Sequence, residues 1–141
     1  MAALPASRPN KVTTAVLLLY VSLGMGLLRA LLGLPGLSQA QGQSLGMAGI
    51  SLAVVAVVFA VMLFFILMIG QGRNWARITF AVLYVLGMIM MIAGLFSLPN
   101  LGAGAVMDLV QALLQLVALV LLFSPESNAW FQAAKAARRS G

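Results

Sequence analysis

At 141 residues the chain has the length of one small domain, yet 63% of it is hydrophobic and only 7% charged, which excludes an ordinary water-soluble fold. It has no Cys and no His, which removes disulfides, thiol and imidazole chemistry, haem and the usual zinc or copper sites, so no cofactor is expected. Eight Lys and Arg against two Asp and Glu give a net charge of +6, but the basic residues flank apolar stretches and are not gathered on a polar face; anionic lipid headgroups fit as partner and nucleic acid does not.

Residues 1–12 carry Arg8 and Lys11 and read as a short cytoplasmic N-terminal segment before the first apolar stretch, Thr13 to Leu34. Ser38-Gln39-Ala40 resembles a signal-peptidase site, but signal-peptide apolar cores run to about 7–15 residues and this one continues for roughly twenty, so retention in the membrane is expected. Met47 to Ile69, Ile78 to Ser97 and Ala105 to Phe123 follow; each reaches about the 20 residues that a helix needs to cross roughly 30 Å of hydrocarbon. Continuous apolar runs without alternation fit helices rather than barrel strands, because backbone groups must pair within the segment where there is no water. The expected fold is all-α: a four-transmembrane-helix bundle over residues 13–123.

Residues 124–141 form the tail. Ser124 stands as an N-cap, Pro125 at the first helical position and Glu126 near the positive end of the helix dipole, so a short helix is expected there. Trp130 with Ala133, Ala134 and Ala137 takes one side, Lys135, Arg138 and Arg139 the other, with Phe131 at the boundary. This is the pattern of an interfacial helix.

Basic residues mark orientation. Arg8 and Lys11, Arg73 and Arg77, and Lys135, Arg138 and Arg139 all fall on one side of the four spans, while "PGLSQAQGQSLG" and "LPNLGAG" have no ionisable residue. Both termini are therefore expected in the cytoplasm. Arg73, Asn74, Trp75 and Arg77 in the middle loop, with Trp130, Lys135, Arg138 and Arg139 in the tail, are expected lipid-interface anchors. Trp and Arg are also common in binding hot spots, which keeps a protein partner for the tail open.

Shifting the chain by 64 positions brings Asn10 onto Asn74, "LYV" onto "LYV" and "LPGL" onto "LPNL", with about 12 identities over roughly 51 positions. The match suggests two tandem helical hairpins in parallel repeat, with an Asn capping each odd helix. The alternative is that Pro ends two helices at the same interface. Small residues are expected to make the helix seams: Ser22 and Gly26; Gly49, Ala53, Ala56 and Ala60; Gly87 and Gly94.

Arg29 and Asp108 are the ionisable residues placed inside apolar spans, each costing about 2.5–3.5 kcal/mol at a helix centre. The helix rise puts both at similar depth below the outer surface, so they are expected to pair and tie the first helix to the fourth. Asp108, Gln111 and Gln115, spaced by three and four, form one polar stripe. Structural satisfaction of these groups is one reading; an ion or solute site in a small oligomeric transporter or pore is the other. Enzymatic work is not expected. The remaining carboxylate, Glu126, lies roughly 27 Å along a helix from Asp108, and neither a phosphate loop nor a metal-spaced ligand set is present.

"GRNWAR" and "SPESNAWF" together resemble a group of small, uncharacterised bacterial inner-membrane proteins with four spans, a Gly-x-Asn-Trp-Ala-Arg loop and a C-terminal Trp-Phe pair. Gly72, Asn74, Trp75, Ala76 and Arg77 match the loop, and Trp130 and Phe131 the pair; Arg29 and Asp108 lie outside the pattern. The resemblance implies the bacterial inner membrane and no particular activity. The expected role is accessory or structural, through a protein partner or a second copy of the chain.

Overall fold

A computed structural model of the chain describes residues 7–39, 45–95 and 103–139. Most of each charge-free loop falls outside them. The described residues form five helices and no strand: α1 (Asn10–Gln39), α2 (Leu45–Gly70), α3 (Asn74–Leu95), α4 (Ala103–Leu122) and α5 (Pro125–Ala137). Three are long and apolar enough to cross a membrane, over Asn10–Leu32, Leu52–Gly70 and Asn74–Ala93; α4 with α5, bent by 65° at their junction, makes up to four.

The helices do not stop where the apolar stretches do. α1 runs through Pro35 to Gln39, past the expected end at Leu34. A proline costs a helix its own N–H bond and crowds the preceding turn, a disruption that neighbouring groups can absorb in apolar surroundings. α3 starts at Asn74, four residues before Ile78, and its expected last residue, Ser97, lies outside the described residues. The α2–α3 turn is where a glycine is needed: Gly72 has φ +76°, its N–H donates to the Ile69 carbonyl (2.9 Å) and the Arg73 N–H to the Met68 carbonyl (3.1 Å). That pattern ends α2 as a Schellman motif.

α1 packs most extensively on α4 and next on α2, α2 on α3, and α3 most sparingly on α4; among the described residues the backbones of α1 and α3, and of α2 and α4, do not meet. Lys11 Nζ reaches Glu126 Oε1 at 2.9 Å, and Arg138 reaches the α2–α3 turn, so the start of α1, that turn and α5 share one end. This is the basic end. The core gathers there: Val12, Ala15, Val16 and Leu19 of α1, Phe65, Ile66 and Ile69 of α2, Ala76 and Phe80 of α3, Ala118, Leu119 and Leu122 of α4, and Phe131 of α5. Toward the far end Leu31, Leu32, Ile50, Met90 and Val106 are exposed.

The small-residue seams are only partly used. Ser22 is buried, and a Cβ on Gly26 would lie 3.3 Å from the Gln111 amide and 3.4 Å from Phe59. Gly49 and Gly87 have nothing within 4 Å, and Ala53, Ala56 and Ala60 are exposed. The surroundings of Gly94 lie outside the described residues. α2 is apolar on every side, so the sequence does not select its inner face. Phe65, Ile66 and Ile69 take that face because their larger side chains reach α1 and α3, making more dispersion contacts than a Gly and Ala strip would.

Candidate functional site

Two clusters of polar side chains stand out, one along α4 and one at the basic end. Along α4, Asp108 Oδ1 contacts Arg29 Nη1 of α1. Two turns deeper, Gln115 Nε2 donates to Ser22 Oγ (3.0 Å), and between them Tyr84 of α3 donates its hydroxyl to the Ala112 carbonyl (2.9 Å). Periodicity explains the stripe, since positions three and four apart share a helix face. Gln111 makes no side-chain hydrogen bond to the described residues and lies against Gly26. The expected cluster Arg29, Asp108, Gln111 and Gln115 is thus brought together in space, with Tyr84 and Ser22 as further members. Tyr84 was not foreseen, and Ser22 was expected at a helix seam rather than as a polar partner, although it lies on α1 seven residues, or two turns, before Arg29.

Two cavities flank the stripe. A cleft of about 300 Å³ opens between α3 and α4, lined by Met62, Phe80, Leu83, Tyr84, Gly87, Met88, Met91, Asp108, Gln111, Ala112 and Gln115. A smaller one of about 100 Å³ lies on the α1–α2 side, where Ser22, Phe59 and Ile66 meet the same two glutamines. The cleft exists because α3 leans least on α4. Asp108 is reached by Arg29 from α1 and faces the cleft as well, with both side chains roughly half exposed.

At the basic end, four of the eight residues expected to anchor in lipid, Asn74, Arg77, Trp130 and Arg138, are engaged within the chain. Arg77, 7% exposed, turns inward: Nε donates to Asn74 Oδ1 (2.6 Å), Nη1 donates to the Leu122 carbonyl (2.8 Å), and the guanidinium lies 4.9 Å from the Phe123 ring centroid and 4.4 Å from that of Phe131. The reason lies in α4. Its last carbonyls lose their helical partners at the 65° bend, and a cation suits the negative end of the helix dipole. Ser127 Oγ serves Leu121 (2.7 Å) and Asn128 Nδ2 serves Phe123 (3.1 Å), so three consecutive carbonyls receive side-chain donors. Ser124 holds the N-cap position in extended conformation, but its hydroxyl lies 3.0 Å from Ser127 Oγ and caps no backbone N–H.

Asn74 likewise differs from the expected cap: it is the first residue of α3, as Asn10 is of α1, and its side chain serves Arg77. The α5 face carrying Phe131 and Ala134 packs inward, and Phe131 is fully buried. Trp130 meets it edge-on at 5.0 Å and covers Gly72, where a Cβ would lie 3.1 Å from the indole and 3.0 Å from Ala134. Arg138 closes the arrangement, donating to the carbonyls of Gln71 (3.2 Å) and Gly72 (2.8 Å). The "GRNWAR" and "SPESNAWF" stretches therefore meet as one clasp between the middle turn and the tail. The chain matches no known family model, no curated protein and no solved structure.

The other expected anchors face outward. Trp75 is 46% exposed beside Phe64 and Phe65, at 6.1 and 6.0 Å, and Arg73, Lys135 and Arg139 are exposed. Among the described residues no group of three or more acidic, His or Cys side chains could hold a metal ion.

Proposed function

We propose that the chain is a four-span helical protein of the bacterial inner membrane, with both termini in the cytoplasm, acting as a small accessory or structural subunit without catalytic chemistry. Clustering of Arg8, Lys11, Arg77, Lys135 and Arg138 at the end where α1 starts and α5 lies supports that orientation, since retained basic residues mark the cytoplasmic side. The tail lies across that face, with Trp75, Arg73 and Arg139 at the lipid headgroups. The two hairpins share one orientation, as a parallel repeat requires. Against an exact repeat, the 64-residue shift lays the α4–α5 bend at Phe123 onto Phe59, inside continuous α2.

The observation that carries the accessory reading is the use of intramembrane polar groups within one chain: Arg29 with Asp108, Gln115 with Ser22, Tyr84 with the α4 backbone. Groups so engaged hold helices together. Purification in mild detergent after crosslinking in the membrane tests it. One defined membrane protein held at a fixed ratio is expected, whereas recovery of this chain alone or only with itself contradicts the accessory role. A second reading, a small transporter or pore, draws on the polar-lined cleft; uptake or efflux by the purified chain in vesicles would favour it.

A further inference from the structure

We infer that the α3–α4 cleft is a binding site for an amphiphilic organic cation, a single ammonium or phosphonium centre on an apolar body, which takes the place of Arg29 at Asp108. The site goes beyond an interaction role and requires no transport. Four features select this ligand class. The cleft, about 300 Å³, lies at the lower end of the usual size of small-molecule sites. Its charged lining group is a carboxylate, Asp108, and the aromatic side chains of Phe80 and Tyr84 line the same space, which suits a weakly hydrated cation. Met88 and Met91 supply a flexible, polarisable wall that adapts to varied apolar shapes. Gln111, without a side-chain partner among the described residues, leaves an amide free at the cleft wall.

Arg29 is what makes the site switchable. Its side chain is roughly half exposed, and it lies five residues before Leu34, the last residue of the apolar stretch, about 7.5 Å along the axis. A long cationic side chain at that depth can swing to the headgroups and keep its charge solvated. The bound cation then neutralises Asp108, the net charge in the membrane is unchanged, and Arg29 acts as a tethered competitor. It does not line the cleft, so its release clears no space and changes only charge.

The test uses the full chain in detergent with methyltriphenylphosphonium as cation and triphenylphosphine oxide as its neutral counterpart, measured by equilibrium dialysis against empty micelles. Saturable binding of one cation per chain is expected, with the neutral molecule at least tenfold weaker. Arg29→Gln, which removes the competitor, should tighten cation binding at least tenfold. Asp108→Asn should abolish it. Gly87→Leu fills the cleft from a position with nothing within 4 Å, so it should fold and lose binding. No saturable binding, equal binding of the neutral molecule, unchanged affinity in Arg29→Gln, or full binding in Gly87→Leu would each overturn the proposal. The Gly87 and neutral-ligand arms decide the matter should Asp108→Asn fail to fold.

Discussion

The two ends of the bundle are built on different terms. At the basic end, four helices and the tail converge on Phe131, Leu122 and Ile69, the guanidinium of Arg77 is enclosed, and the carbonyls freed at the α4 bend have donors. Toward the far end, among the described residues, Gly49 and Gly87 have open space beside them while Gly26 lies close to Gln111 and Phe59, and the Arg29–Asp108 pair is half exposed. Glycines show the difference directly: Gly72 has no room for a Cβ, and Gly87 has nothing near it. Specific packing gathers at the basic end, and the α3–α4 cleft lies where those two helices pack most sparingly.

Breaking the tight end should have the largest effect. Phe131→Ala removes a fully buried ring from the meeting point of the clasp and is expected to cost about 3–5 kcal/mol, read as a loss of thermal stability in detergent and rapid proteolysis of the tail. Arg77→Met should follow at about 3 kcal/mol, since it takes a charged donor from the Leu122 carbonyl and a cation from between two phenyl rings. Arg77→Lys should recover only part of this, lacking the planar fork that reaches Asn74 and Leu122 together. If both Arg77 variants melt like the parent, the guanidinium does not hold the tail.

The glycines sharpen the comparison because the same substitution should change sign. Gly72→Ala forces a Cβ onto a positive φ and against Trp130 and Ala134, and should destabilise by about 1–2 kcal/mol. Gly87→Ala, inside a helix with open space, should stabilise by up to about 1 kcal/mol. Equal shifts in midpoint temperature for the two would mean that the ends do not differ in packing. The smallest effect is expected from Glu126→Gln: its bond to Lys11 joins side chains that are 61% and 42% exposed, worth about 0.5 kcal/mol and weakened by salt.

Helical class, the charge asymmetry and the meeting of Arg29 with Asp108 were legible because they follow from composition, loop position and a constant rise per residue. The inward turn of Arg77 was not. Rules that send arginine near a span end to the headgroups are averages over neighbours, and here the deciding neighbours are a carbonyl 45 residues away and a ring on a helix beyond a bend. The inner face of α2 was illegible for the opposite reason. With every face apolar, size and fit against α1 and α3 choose the buried side, and the expected Gly and Ala strip points away.

Nitroxide mobility tests the contrast most directly, and the absence of native Cys allows single labels. Labels at Gly87→Cys in the cleft and Ala118→Cys in the buried core should give a mobile spectrum at the first position and an immobilised one at the second, in lipid nanodiscs. Equal immobilisation at both would show the far end packed as closely as the basic end and would contradict the account.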